Sequence, residues 1–251
     1  MMKYVKARVM IAGAPALVVY EQAVAPEVCA QRGTVLFYHG FGERKEGYRG
    51  VLERFAQLGM LALGIDGIGH GERRYLDFIE RFPAITDETR GDPRYEASFL
   101  DVLSETVHEL PGILDALLER GWAVPGHIGI SGHSFGGFVS YAALITDKRI
   151  VAAAPVVGSP QWLLPRPESP HLHLEKLYPV AILSQNATLD TNIPAHYARN
   201  FHQALTPYYM QSPARLRYIE YPNSPHDLTR TDWQQAWSEA ARWLASFLIT
   251  E

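Results

Sequence analysis

The sequence predicts a doubly wound, mainly parallel α/β sheet with helices on both faces. Two features carry that reading. Short, continuously apolar runs alternate with helix-period segments along the chain, as strands buried on both faces alternate with covering helices. The chain also has 251 residues, 47% of them hydrophobic, enough to bury the core of one large α/β domain.

The elements follow in order. Tyr4 to Ile11 and Ala16 to Tyr20 read as two β-strands, with Gly13-Ala14-Pro15 as the turn between them. Thr34 to Tyr38 is apolar or β-branched throughout and ends at His39-Gly40, as a central parallel strand would. Tyr48 to Leu58 has helical spacing, and Met60 to Ile65 is a further buried strand. Glu96 to Arg120 reads as one long amphipathic helix with a kink at Pro111. His127 to Ser131 is a strand, Phe135 to Thr146 a helix and Ile150 to Val157 a strand. Val180 to Ser184 is a strand, and Pro194 to Leu205 a helix with proline at its start. Leu216 to Tyr221 is the last strand, and Asp232 to Ile249 the closing helix. That makes about eight strands in one domain spanning 1–251. Two stretches break the rhythm, around 72–95 and around 158–176. Both follow strands at the edge where open α/β sheets bind ligands, so both are expected as cap-like insertions.

Charge narrows the function classes. The formal net charge is -4, without the basic footprint of a nucleic-acid binder. No apolar run is long enough to span a bilayer. The charged start, Met1-Met2-Lys3-Tyr4-Val5-Lys6-Ala7-Arg8, does not resemble a signal peptide, so a cytoplasmic protein is expected. Cys29 is the only cysteine, which excludes an intrachain disulfide.

Gly132-His133-Ser134-Phe135-Gly136 falls between a strand and a helix. A G-x-S-x-G motif in that context is a nucleophile elbow. The serine sits on a strained turn, its flanking glycines give the turn room, and the helix N-terminus favours developing negative charge. Ser134 is therefore the expected nucleophile. His39-Gly40-Phe41-Gly42, after the earlier central strand, is the expected oxyanion loop. The donors would be the backbone N–H groups of Phe41 and Phe135, leaving both rings free to narrow the pocket. His39 itself is expected to be structural. Among the histidines after Ser134, His226 lies between the last strand and the last helix, where a loop can hang an imidazole over the sheet edge. It is the expected general base. Asp190, between the strand at 180–184 and the next helix, is the expected acid, with Asp227 and Glu168 as weaker candidates. Ser159 to Leu164 carries Trp162, Leu163 and Leu164 in succession and is expected to wall the pocket through Trp162 and Leu163. Glu43 and Glu46 are expected to be solvated. His171-Leu172-His173 is the nearest approach to metal-ligand spacing and reads as a polar loop, so neither metal nor organic cofactor is expected.

With these residues in place, the sequence resembles the α/β-hydrolase superfamily across nearly its whole length. It is most similar to small bacterial esterases related to dienelactone hydrolases and to the prolyl-oligopeptidase catalytic domain. Besides the elbow, the oxyanion loop and Pro225-His226-Asp227, the match rests on Asp66-Gly67-Ile68-Gly69-His70-Gly71 and the element from Asp190 to Pro194. The resemblance makes Asp66 and His70 architectural. Dienelactone hydrolases carry a cysteine where this chain has Ser134, and prolyl oligopeptidases add a propeller that the short lead before Thr34 leaves no room for. The resemblance therefore implies a serine carboxylesterase acting on a small-molecule ester with a short to medium acyl chain. Its rivals are a peptidase or thioesterase on the same residues and a non-catalytic, ligand-binding member of the fold.

Overall fold

The structure, a computed structural model, describes residues 3–83 and 92–249. Eight strands form one sheet: β1 (Tyr4–Ile11), β2 (Ala14–Glu21), β3 (Thr34–Tyr38), β4 (Leu61–Ile65), β5 (Ile128–His133), β6 (Ile150–Val156), β7 (Ala181–Ala187) and β8 (Leu216–Tyr221). Their spatial order is β1-β2-β4-β3-β5-β6-β7-β8. The β1–β2 and β2–β4 pairs are antiparallel and every later pair is parallel. This is the α/β-hydrolase fold. The first turn is Ala12-Gly13, both at positive φ (49° and 83°), and not Gly13-Ala14-Pro15. A two-residue hairpin turn with left-handed central residues matches the strand twist, so β2 starts earlier and Pro15 pairs with Met10.

Eight helices cover the sheet in the described residues: α1 (Pro26–Arg32), α2 (Arg49–Gln57), α3 (Phe78–Arg81), α4 (Pro93–His108), α5 (Leu110–Glu119), α6 (Phe135–Thr146), α7 (His196–Leu205) and α8 (Arg230–Leu248). Alternation along β3 divides the core. Leu36 and Tyr38 join one apolar cluster with residues of α1 and α4 to α7, while Val35 and Phe37 join the other with α2 and α8. The long helix expected over 96–120 is two helices that meet at Glu109, because Pro111 is tolerated in the first turn of a helix but not in its interior. None of the described helices is long and apolar enough to cross a membrane.

The stretch at 72–95 contains a 3-10 turn at Gly71–Arg73 and the short α3, and its residues 84–91 lie outside the described residues. The 158–176 stretch is irregular apart from single 3-10 turns at Pro170–Leu172 and Leu174–Lys176. Its Trp162 is only 2% exposed and belongs to the core cluster with α4 to α7, whereas Leu163 is 58% exposed.

The topology places the site. After β3 the chain builds β4 on one side of it and returns to build β5 on the other. The loops after β3 and β5 therefore diverge at the carboxyl edge, where such sheets bind ligands. Tyr38 is in register with Gly132, which brings the loop starting at His39 beside the turn at Ser134.

Candidate active site

Ser134 sits between β5 and α6 with φ 53° and ψ -109°, a left-handed conformation that costs a non-glycine residue on the order of 1–3 kcal/mol. The surroundings hold it there. Its N–H donates to Val156 O at 2.9 Å, and Gly136 N–H donates to His39 O at 3.0 Å. Both flanking glycines are sterically required. A Cβ on Gly136 would lie 1.9 Å from Tyr38 O, and one on Gly132 would lie 2.3 Å from Gly136 backbone atoms.

The loop after β8 brings His226 over this turn. His226 Nε2 is 3.0 Å from Ser134 Oγ, and His226 Nδ1 is 2.7 Å from Asp190 Oδ2. Asp190 is fixed by its own loop: Oδ1 accepts from the N–H groups of Asn192 and Ile193, each at 2.8 Å. Only Oδ2 is left for the imidazole. A carboxylate is an acceptor, so Nδ1 carries the ring proton and Nε2 is free to accept from the Ser134 hydroxyl. The arrangement can withdraw a proton from Ser134 and stabilise the imidazolium that results. Asp227 borders the same space, but Asp190 occupies His226 Nδ1. Glu168 bonds Ser104 instead.

Phe41 borders the cavity that contains Ser134. Its ring is packed among His70, Phe78, Phe82, Phe99 and Phe135, with centroids 4.9–5.9 Å away. The Phe135 ring does not narrow the opening. It is fully buried, stacked on His70 with centroids 4.9 Å apart and packed over Gly67. The helical direction of its side chain carries it into the core while its N–H stays at the first turn of α6, where no intrahelical acceptor exists.

The loop after β3 has its own brace. His39 accepts from Gly67 N–H at Nε2 (3.1 Å) and donates from Nδ1 to Gly40 O (2.8 Å). Gly40 N–H is shared between Glu43 Oε2 at 3.1 Å and the Tyr48 hydroxyl at 3.2 Å. Tyr48 gives its proton to Glu43, so its oxygen accepts from His133 Nδ1–H at 2.8 Å. Glu43 is exposed, as expected, and is also bound to the loop through these hydrogen bonds. Glu46 pairs with Arg8 and lies 3.5 Å from the buried Lys45, which also pairs with Asp66 and Glu72. Burial and the neighbouring His226 push the His133 imidazole down to about 3, and among the described residues its Nε2 has no hydrogen-bond partner.

The cavity containing Ser134 and His226 has a volume of about 310 Å³. Phe41, Tyr95, Phe99, Phe138 and Ile193 provide its apolar wall, and Glu96 a carboxylate. Neither Trp162 nor Leu163 borders it, because the indole is drawn into the core and Leu163 faces solvent. A larger space of about 620 Å³ adjoins and shares Glu43, His133 and Asp227 with it. The wall residues of α4 and α6 gave no motif signal. Only the position of Phe138 in the helix that the elbow opens could have suggested its role. Among the described residues no group of three or more His, Cys, Asp or Glu is placed to hold a metal ion.

Comparison with known proteins agrees with this architecture. The model of a family described as serine aminopeptidase, S33, matches residues 30–244. A protein of Bacillus subtilis (strain 168) named "Putative esterase YitV" is 24% identical over 225 residues, covering 78% of this chain and 83% of that protein. The crystal structure of TT1662 from Thermus thermophilus superposes with a TM-score of 0.76 at 21% identity, over 97% of this chain and 99% of that one. A structure titled "Putative Dienelactone Hydrolase" from Klebsiella pneumoniae gives a TM-score of 0.73 at 17% identity, over 98% of this chain and 100% of that one. These structural likenesses show the fold. The family match spans most of the chain, and this protein therefore belongs to the serine aminopeptidase S33 family of α/β-hydrolases.

Proposed function

We propose that the protein is a serine carboxylesterase for small esters with short to medium acyl chains. The observation that carries this reading is the hydrogen-bonded line from Asp190 Oδ2 through His226 to Ser134 Oγ. In the mechanism, His226 Nε2 takes the hydroxyl proton as Ser134 Oγ attacks the ester carbonyl carbon. The N–H groups of Phe41 and Phe135 stabilise the oxyanion. His226 then protonates the leaving alcohol, and the acyl group remains on Ser134. Water, deprotonated by His226, attacks the acyl-enzyme, and Ser134 leaves with the proton returned. Asp190 keeps the imidazole in the tautomer this sequence needs and stabilises its cationic form.

A fluorophosphonate probe is expected to label Ser134 stoichiometrically, and labelling of an intact protein at any other residue would overturn the assignment. A peptidase is the rival reading, which the three carboxylates bordering the cavity would suit. Matched ester and amide substrates separate the two. The ester is expected to be turned over and the amide left intact.

The cavity wall sets the acyl length. Phe138→Ala removes one wall ring from a space near the lower bound for ligand pockets. It is expected to raise the ratio of long-acyl to short-acyl kcat/KM by at least about tenfold for each added methylene accommodated. Trp162→Ala is expected to leave that ratio unchanged and to cost roughly 3–5 kcal/mol of stability, as loss of a core aromatic does. A shifted acyl profile in Trp162→Ala, with none in Phe138→Ala, would show the wall to lie elsewhere.

A further inference from the structure

Most of the loop that carries His226 faces solvent, but one polar residue in it does not. Pro222, Asn223, Pro225 and Asp227 are exposed, whereas Ser224 is 0% exposed. Every polar group of Ser224 is bonded. Its N–H donates to Tyr221 O at 3.4 Å, and its carbonyl accepts from Leu189 N–H at 3.0 Å. Its hydroxyl accepts from Thr229 N–H at 3.1 Å and donates to Asp232 Oδ2 at 2.6 Å. Burying a hydroxyl is costly unless such bonds replace its water.

The hydroxyl bonds alter the start of α8. Thr229 is the N-cap, and its Oγ1 accepts from Asp232 N–H at 3.3 Å. In an ordinary capping box the acidic side chain at the third helical position returns to the N–H of the cap residue. Here the Ser224 hydroxyl stands between the two, accepting from Thr229 N–H and donating to Asp232. The segment from Ser224 to Thr229 is thereby closed into a ring fastened to the helix end, and His226 lies inside it. Leu228, 8% exposed and packed in the core with α8, anchors the segment on the other side of His226.

The Ser224 carbonyl adds a tie to the acid. Leu189, which donates to it, directly precedes Asp190, and Thr188 N–H donates to Tyr221 O at 3.0 Å. The loops after β7 and β8 are therefore joined one residue before Asp190 and two before His226. We infer that Ser224, held by Asp232, is a positioning residue that sets the His226 ring against both Asp190 and Ser134. The inference rests on the esterase reading and deepens it.

Ser224→Ala removes both hydroxyl bonds and leaves the backbone ones. Because a shift of about 1 Å in a reacting group costs up to about a hundredfold, kcat on an activated ester is expected to fall about ten- to a hundredfold. KM is expected to stay within about twofold, since no substrate contact is removed. Fluorophosphonate labelling of Ser134 should slow by the same factor as kcat. The downfield proton resonance of His226 Nδ1–H, bonded to Asp190, should broaden or vanish through exchange with water. All are read well below the unfolding midpoint, so lost stability alone moves none of them. Asp232→Asn keeps an oxygen for the Ser224 hydroxyl and is expected to stay within about threefold of the unsubstituted kcat. Asp232→Ala takes that acceptor away and is expected to share the loss. This second pair serves if Ser224→Ala does not fold. Unchanged kcat, labelling rate and resonance in folded Ser224→Ala or Asp232→Ala overturn the inference, even where their unfolding midpoints fall. An unsubstituted protein that shows the resonance but neither labels nor hydrolyses esters sinks the esterase reading alone, and the resonance in Ser224→Ala then still decides the positioning role.

Discussion

Ser134→Ala is expected to lower ester turnover by on the order of a million-fold, the loss measured in another serine hydrolase when its nucleophile is removed. The fold should survive. Alanine keeps the Cβ that the elbow already accommodates at φ 53°, and the bonds holding the turn are made by backbone atoms. His226→Ala should lose nearly as much, because Ser134 would have no acceptor for its proton. Asp190→Asn acts through geometry. The N–H groups of Asn192 and Ile193 demand an acceptor at the Oδ1 position, so the amide oxygen must take it. The amide NH2 then faces His226 Nδ1, which has to become an acceptor. The ring proton moves to Nε2, and the hydroxyl of Ser134 meets an N–H in place of a lone pair. This wrong-tautomer loss is expected to reach roughly ten-thousand-fold. Residues that act as a unit are not additive, so Ser134→Ala with His226→Ala should be little worse than either alone. Single-turnover and steady-state rates on one activated ester test all of this. A folded Ser134→Ala protein that kept substantial activity would remove Ser134 from the mechanism.

How much of this was legible depended on whether a residue's role is set by its neighbours in sequence or by its neighbours in space. The elbow was readable because its five residues form a compact pattern between a strand and a helix; a Cβ on Gly132 would collide with Gly136 in the same turn, whereas Gly136 is kept small by Tyr38 O on the neighbouring strand. His226 and Asp190 were readable from their place after β8 and β7, since strand ends converge at one edge of a parallel sheet. The cavity wall was not. Phe99 and Phe138 come from α4 and α6, helices brought together by packing, and each looks in sequence like any other apolar helix position. Trp162, Leu163 and Leu164 in succession suggested a lid, but an irregular segment can send adjacent side chains in opposite directions. One of them fills the core here and the next faces solvent. The partners of Glu43 and Glu46 were not readable, because the Tyr48 hydroxyl for one and Arg8 for the other come into reach only in the folded chain. The short α1 was missed for another reason. At seven residues it is too brief to show a period, although Pro26 at its first turn was a readable start signal.

Lowering the pH from 7 to 5 is expected to remove several kcal/mol of stability, because four histidines are folded into places that admit only the neutral ring. His39 and His70 are 0% exposed, His133 is 6% and His202 is 7% exposed. His39 cannot take a second proton without setting its Nε2 against Gly67 N–H. His70 donates from Nδ1 to Ile68 O, and its Nε2 is buried without a partner among the described residues. His133 gives its Nδ1 proton to Tyr48 and likewise has an unpartnered Nε2. Tyr141 donates to the Ser184 hydroxyl, which then points its own proton at His202 Nε2, 2.6 Å away. Burial holds all four below the usual imidazole value, His70 and His133 at about 3 and His202 at about 4. Their folded pKa values are depressed, so the unfolded chain binds the protons first, near 6.5. The stability they allow is complete above that value and is lost as pH falls from it toward the folded values. Each pH unit below the unfolded value costs about 1.4 kcal/mol per ring, so His70, His133 and His202 each contribute roughly 2 kcal/mol between pH 7 and 5, and His39 acts in the same direction. Glu96, whose carboxyl is raised by burial, has the opposite sign. The sum is comparable to the whole stability of an ordinary domain, about 5–15 kcal/mol. Urea unfolding across this range measures it directly. His202→Gln should flatten the pH slope by about one ring's share. A stability that stays level from pH 7 to 5 would mean that these imidazoles accept protons in the folded state, and that the bonds assigned to their neutral tautomers are wrong.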